Sequence, residues 1–161
     1  MKETRAIVFL SSAYLAGLIG IGLPIHPDFV LLTPFNLLMS TAFALWFHPH
    51  KNRQFYVFAL IAAVTGFLVE MVGVKTGLIF GNYQYEYVLG PKIWDTPPMI
   101  GVSWLLTAYC AACTAEFMTT SPSKWLKAFF AACLMTALDW LIEPIAISQH
   151  FWAWGNNVVP I

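Results

Sequence analysis

The sequence of 161 residues is 59% hydrophobic and only 10% charged, and its 8 basic and 8 acidic residues leave a formal net charge of zero. Soluble domains carry roughly a quarter charged residues, so this composition excludes an ordinary soluble domain and favours a membrane protein. The neutral charge gives no support for nucleic-acid binding, and the length suits a single domain rather than two.

Five apolar segments are long enough to cross a bilayer as helices, which takes roughly 17–25 residues each. They are placed near residues 6–23, 29–47, 54–72, 98–118 and 125–147. The first segment exceeds the usual length of a signal-peptide core and lacks a clear cleavage site, so we predict a retained helix. Pro24 and Pro27 punctuate the turn that follows it. The resulting fold prediction is an all-α, polytopic integral membrane bundle that forms one domain over residues 1–161.

The basic residues are distributed unevenly between the two ends of this predicted bundle. Lys75 and Lys92 fall at one end. The other six fall at the opposite end: Lys2, Arg5, Lys51, Arg53, Lys124 and Lys127. The positive-inside rule therefore predicts that the N-terminus lies in the cytoplasm.

The segment 73–97 is the only long connection between the predicted helices, and it is expected to lie on the outer side. Glycines permit turns along it, beginning with Gly73, which is predicted to open the loop. Aromatic residues between the glycines, including Phe80, Tyr83 and Tyr85, are expected to cap an apolar cavity.

Asp139 and Glu143 are the most informative residues of the chain, because they lie near the end of a long apolar segment. They are four residues apart, so on a helix their side chains point the same way, one turn above the other. Pro144 follows directly and frees the backbone carbonyl of Trp140 from its helical hydrogen bond. Acids inside membrane segments usually face a cavity, a partner or a reaction. The pair therefore favours a functional site over a simple interfacial helix end.

Glu70 lies near the outer end of another apolar segment, on the side that Glu143 approaches. The three carboxyl groups are therefore predicted to meet in one cavity. Like charges crowded together in a low dielectric cannot all ionise, so at least one acid is expected to stay protonated. A neutral carboxylic acid beside an ionised one is the arrangement that general acid–base catalysis requires. Glu116, at the opposite end of its helix, is interpreted as an interfacial residue, and no metal-ligand spacing is evident.

Several segments of the sequence together resemble one family, the carotenoid biosynthesis membrane proteins, which comprise carotenoid 1,2-hydratases and bacterioruberin-type hydratases. The resemblance covers about residues 66–161 in the family's order. The matching segments are residues 70–77 (EMVGVKTG), 80–85 (FGNYQY), 89–91 (LGP), 138–146 (LDWLIEPIA), 151–154 (FWAW) and 159–161 (VPI).

The resemblance implies an enzyme that adds water across the terminal double bond of an acyclic, lycopene-like carotenoid and forms a tertiary alcohol. It implies a protonated carboxyl that gives a proton to the alkene and a carboxylate that orients or deprotonates water, without a cofactor. Asp139 and Glu143 are predicted to be the acid/base pair, with Glu70 as the partner acid. The candidate substrate-binding residues are Phe80, Asn82, Tyr83, Tyr85, Trp104 and Trp140. The expected location is the cytoplasmic membrane of a bacterium or archaeon, in contact with lipid.

The resemblance also implies that family members continue past the segment that ends here at Ile161, so the sequence is expected to be C-terminally short. A homo-oligomer is one arrangement that would supply the missing walls. Three other functions stay open beside the hydratase. They are a carotenoid end-group cyclase or isomerase, a noncatalytic carotenoid-binding subunit and a proton-coupled transporter.

Overall fold

The structure, a computed structural model, describes residues 2–23 and 26–155. Five α-helices make up most of this part of the chain. Their bounds are α1, Lys2–Gly22; α2, Thr33–Phe47; α3, Arg53–Thr76; α4, Met99–Met118; and α5, Lys124–Ser148. Two short strands, β1 (Tyr83–Tyr85) and β2 (Trp152–Trp154), complete the secondary structure together with a 3₁₀ helix over Pro27–Leu32.

All five helices, with α2 counted together with part of the 3₁₀ helix, are long and apolar enough to span a membrane. The prediction of an all-α membrane bundle is therefore confirmed, apart from the two short strands. The predicted segment 29–47 corresponds to the apolar span Asp28–Phe47, which begins in the 3₁₀ helix and becomes α-helical at Thr33. The predicted turn at Pro24 and the sequence match at 159–161 lie outside the described residues.

The sequence predicted that Gly73 opens the long connection, and this prediction is wrong. Gly73 is buried inside α3, which continues to Thr76. Gly77 ends the helix in the left-handed conformation, at φ 64°, and its backbone N–H donates to the carbonyl of Gly73. Glycine is favoured there because it adopts positive φ without a steric penalty. The loop therefore begins one helical turn later than expected.

Helix α4 lies at the centre of the bundle, where it packs against α2, α3 and α5. It approaches α3 closely at Gly101, where an added Cβ atom would lie 2.7 Å from the carbonyl oxygen of Ala63. Helix α1 packs on α2 and on the 3₁₀ helix at the side of the bundle.

The chain on either side of the bundle's last two helices forms a small antiparallel sheet that the sequence did not predict. Strand β1 comes from the connection between α3 and α4, and β2 follows α5. Tyr83 pairs with Trp154 and Tyr85 pairs with Trp152. We call the end of the bundle that carries this sheet the sheet end.

The long connection is folded onto the helices rather than free. Val88, Thr96 and Pro97 are fully buried, and Tyr85 and Leu89 form a buried cluster with the first turn of α4. A side-chain contact also joins the connection to the turn before β2, because His150 Nδ1 lies 2.8 Å from Glu86 Oε2. The sheet end is thus built from both sequence-distant segments, 77–98 and 149–155.

The uneven distribution of basic residues predicts that the sheet end faces the outside of the cell, and cysteine labelling can test this orientation. In a variant whose native cysteines are replaced by serine, Gln84→Cys at the sheet end should react with a membrane-impermeant maleimide in intact cells. Lys51→Cys, at the opposite end, should react only after lysis. Both native side chains are exposed, so accessibility differs only through the membrane. The reverse labelling pattern would place the N-terminus outside.

Candidate active site

A cavity of about 420 Å³ lies at the sheet end, between α3, α4, α5 and the two strands. The three acids predicted from the sequence, Glu70, Asp139 and Glu143, all line it. Its other lining residues are Phe80, Tyr83, Tyr85, Trp104, Ala132, Met135, Thr136, Trp152 and Trp154. The cavity therefore combines three carboxyl groups with walls that are largely aromatic.

Glu70, on α3, accepts three hydrogen bonds from groups that lie far from it in the sequence. The phenol hydroxyls of Tyr83 and Tyr85 donate to Oε2, at 2.5 and 2.8 Å. The indole N–H of Trp104, on α4, donates to Oε1 at 3.1 Å. Both carboxylate oxygens are therefore supplied with donors, and hydrogen bonds of this kind favour the charged form of a carboxyl group.

The two tyrosines remain donors because their own ionisation is strongly disfavoured. Burial, followed by the hydrogen bond and the negative charge of Glu70, raises the pKa of Tyr83 far above its usual value. Burial, followed by the charge of Glu70, raises the pKa of Tyr85 further still. Both phenols therefore stay protonated near neutral pH and remain hydrogen-bond donors.

Glu143, on α5, accepts hydrogen bonds from two indole groups of β2. The N–H of Trp152 donates to its Oε1 at 3.0 Å, and the N–H of Trp154 donates to the same oxygen. Trp152 and Trp154 are two residues apart on a strand, so their side chains lie on the same face of the sheet. Because Trp is a donor only, both contacts require an acceptor oxygen on Glu143.

The register of the sheet brings the two sets of donors together. Tyr83 lies opposite Trp154, with ring centroids 5.2 Å apart, and Tyr85 lies opposite Trp152, at 6.4 Å. The donors to Glu70 therefore pack directly against the donors to Glu143. One two-stranded sheet holds the carboxylates of two helices.

Asp139 differs from the other two acids. It lines the same cavity one turn before Glu143 on α5, and its side chain is exposed. Within residues 2–23 and 26–155, no side-chain or backbone donor makes a hydrogen bond to its carboxyl group. Two of the three acids are thus fixed by donors.

The structure brings most of the sequence-predicted residues into the cavity but leaves two of them outside. Phe80, Tyr83, Tyr85 and Trp104 line it with the three acids. Trp140 is 79% exposed and points away from the cavity, toward the surface of α5. Asn82 lines a separate shallow pocket beside the sheet.

Sequence reasoning missed Trp152 and Trp154 as site residues, although a signal for them was present. Both the Tyr-x-Tyr of β1 and the Trp-x-Trp of β2 have the period of two that places side chains on one face of a strand. Pairing the two motifs would have indicated a sheet that presents four donors to the acids.

Comparison with known proteins shows the family of the chain. The profile of a family described as carotenoid biosynthesis protein matches residues 31–159. The chain belongs to this family. It is also similar to a bisanhydrobacterioruberin hydratase from Haloarcula japonica, with 24% identity over 151 residues. That match covers 91% of this chain and 50% of the hydratase, so the chain spans about half of its relative's length. No solved structure matches the chain significantly.

The donors around Glu70 predict a specific stability effect. In Glu70→Gln one carboxylate oxygen becomes an NH₂ group, which cannot accept a hydrogen bond and leaves at least one donor unpaired. Unpaired or weakened bonds to a charged group cost about 1.5–3 kcal/mol. We expect the free energy of unfolding in lipid or detergent to fall by about that amount.

The matched control is Glu116→Gln. The Glu116 side chain is 67% exposed and makes an ion pair with Lys127, an arrangement that contributes at most about 1 kcal/mol. Equal losses in the two variants would contradict a special role for the donors around Glu70.

Proposed function

We propose that this chain takes part in carotenoid modification as a hydratase, which adds water across the terminal carbon–carbon double bond of an acyclic carotenoid. The observation that carries the proposal is the division of labour among three acids in one membrane cavity. Two acids accept five hydrogen bonds between them, and the third, Asp139, accepts none from the described residues. Family membership and the name of the hydratase from Haloarcula japonica support the same reaction.

Asp139 is the proton donor in this mechanism. The donors on Glu70 and Glu143 favour their charged forms, and a third negative charge in the same cavity would be repelled by both. The proton is therefore best held by Asp139. A neutral carboxylic acid at the cavity surface can transfer it to the less substituted carbon of a trisubstituted alkene. The product of that step is a tertiary carbocation and the Asp139 carboxylate.

The cavity is suited to stabilise this cation. The carboxylates of Glu70 and Glu143 supply negative charge, which acts strongly where water is scarce. Aromatic ring faces add the attraction of a π-system for a cation. The rings of Phe80, Tyr83 and Trp104 line the same cavity as the acids. Because their donors fix the two carboxylates in advance, little reorganisation is needed when the positive charge develops.

Water then captures the cation, and Glu143 is the group best suited to remove the extra proton. Its Oε1 is held by Trp152 and Trp154, so a further oxygen, Oε2, is free of protein donors among the described residues. Transfer of that proton from Glu143 to Asp139, one helical turn away, restores the starting state. The net reaction is alkene plus water to tertiary alcohol, with no change in oxidation state of the protein.

The substrate is expected to enter from the lipid. Large apolar side chains cover the outer surface of α5 on either side of Asp139, and Leu138, Trp140 and Leu141 are all exposed. In a bilayer this surface meets acyl chains, which are also the natural solvent of a polyene. The end group would enter the acid cavity while the polyene remains along the helices. We therefore propose an integral membrane protein whose sheet end lies on the outer side of the membrane.

The proposal is tested by expressing the chain in cells that accumulate lycopene and analysing the pigments by mass spectrometry. The unaltered chain should form a carotenoid heavier by one or two molecules of water. Asp139→Asn, which cannot donate a proton, should reduce that product by at least about 100-fold, the usual contribution of a general acid. Asp139→Glu should retain part of the activity. Growth in ¹⁸O-labelled water should place the label in the new hydroxyl group.

The control variant is Glu116→Gln, which alters an exposed acid at the opposite end of α4 and should leave the product unchanged. A cyclised, isomeric product of unchanged mass would replace the hydratase by an end-group cyclase. Unchanged lycopene, with the protein folded in the membrane, would contradict hydratase activity. If pigment still co-purified with the chain, a noncatalytic carotenoid-binding function would take its place.

A further inference from the structure

Two buried glycines flank Glu70 on one face of α3. Gly66 lies four residues before Glu70 and Gly73 lies three residues after it, spacings that put all three on the same side of the helix. Glycine inside a helix costs about 1 kcal/mol relative to alanine. Helix α3 therefore gives up stability at both positions next to its acid, which calls for a physical reason.

At Gly73 the reason is the contact with the start of the long connection. A Cβ atom added there would lie 2.8 Å from Cδ2 of Phe80 and 3.4 Å from the hydroxyl oxygen of Tyr83. The Phe80 ring, whose centroid is 6.3 Å from that of Tyr83, would have to move. The missing side chain of Gly73 thus provides the space for the Phe80 ring, which packs against Tyr83, a donor to Glu70.

At Gly66 the reason is the contact with α4. An added Cβ atom would lie 2.4 Å from Cβ and 2.3 Å from Cγ of Trp104. Because those atoms are next to the backbone, rotation of the ring cannot relieve the clash, and α4 itself would have to shift. The missing side chain of Gly66 sets the separation at which the Trp104 indole reaches Glu70.

We propose that Gly66 and Gly73 are positioning residues of the active site, which form a cradle on α3 that aligns the hydrogen-bond donors on Glu70. The proposal rests on the proposed function, because it assigns the aligned donors a part in stabilising the cation. Neither glycine touches substrate in this account. Each acts through the aromatic residue that occupies the space it leaves.

An aromatic ring also packs onto a glycine outside the site, at Gly20 against Phe29, so the identity of the neighbouring residue, and not close packing, distinguishes Gly66 and Gly73. Gly101 is an example of a glycine that only allows two helices to approach, because its nearest neighbour is the backbone carbonyl oxygen of Ala63. Gly66 and Gly73 instead face the residues that donate to Glu70 or pack against such a donor. Gly17, on α1, has no neighbouring atom within 4 Å of an added Cβ and serves as the control.

The first experiment compares kcat and carotenoid binding of Gly73→Ala in the unaltered background and in Phe80→Ala. In the unaltered background kcat should fall by about 10- to 100-fold, the equivalent of one hydrogen bond to a charged group, while the dissociation constant for carotenoid changes less than about threefold. In the Phe80→Ala background the ring that the methyl group displaces is gone, so Gly73→Ala should have little further effect. Gly17→Ala should leave both quantities unchanged.

Equal effects of Gly73→Ala in the two backgrounds, or a lower unfolding temperature with unchanged kcat of the folded protein, would overturn the cradle. A second double-mutant cycle combines Gly66→Ala with Trp104→Phe. Trp104→Phe already removes the indole donor to Glu70, so the double variant should be no less active than the worse single variant. Additive losses in that cycle would also overturn the proposal.

Thermal unfolding in lipid nanodiscs supplies a readout that needs no turnover. Gly73→Ala should lower the unfolding midpoint more in the unaltered background than in Phe80→Ala, and equal shifts would overturn the proposal. This keeps the two proposals separate. Absence of hydration by the unaltered chain would refute the proposed function, whereas the unfolding cycle would still decide whether Gly73 provides space for Phe80 and Tyr83.

Discussion

The carboxyl group of Glu70, inside a membrane-spanning helix, is the constraint on which the sheet end of this protein depends. An ionised carboxyl away from water is costly unless donors replace the lost solvent. Helix α3 cannot supply them, because its backbone N–H groups are used within the helix. They come instead from Tyr83 and Tyr85 in the following connection and from Trp104 on α4. The connection is therefore folded back onto α3, which explains why part of it is buried and why it carries aromatic residues.

The same requirement at Glu143 explains the short sheet. Helix α5 ends at Ser148, and the chain reverses so that Trp152 and Trp154 donate back to an acid on the helix they have just left. Two residues of β2 alone would hold this position poorly, since an isolated strand has unpaired backbone groups. Pairing with β1 supplies those hydrogen bonds and packs the indoles against the rings of Tyr83 and Tyr85. The two carboxylates are thus held by one structure, and disturbance of either set of donors should be felt at both acids.

The sequence was sufficient to predict the helices and the meeting of the three acids, because both follow from local rules. Hydrophobic length gives the spans, and a spacing of four residues places Asp139 beside Glu143. It was not sufficient for the role of Gly73, which was assigned to a loop on composition alone. From sequence alone a glycine is assigned to a turn, because the residues that contact it in space are not known. The residues that contact Gly73 are Phe80 and Tyr83, which come after the end of the helix. Trp152 and Trp154 were missed for the same reason, since their partners lie about seventy residues earlier in the chain.

In the proposed mechanism, the division between two acids that accept hydrogen bonds and one that does not explains how Asp139 can carry a transferable proton. If Asp139 had donors like those of Glu70, its charged form would be favoured and it could not deliver a proton to an alkene. If Glu70 lacked its donors, it would compete with Asp139 for the proton and would not stabilise a cation. In the proposed mechanism, the difference in reactivity between these side chains therefore arises from hydrogen-bond donors supplied by distant residues rather than from the acids themselves. Gly66 and Gly73 contribute to the same difference in this proposal, because they leave space for the aromatic residues that donate to Glu70 or pack against such a donor.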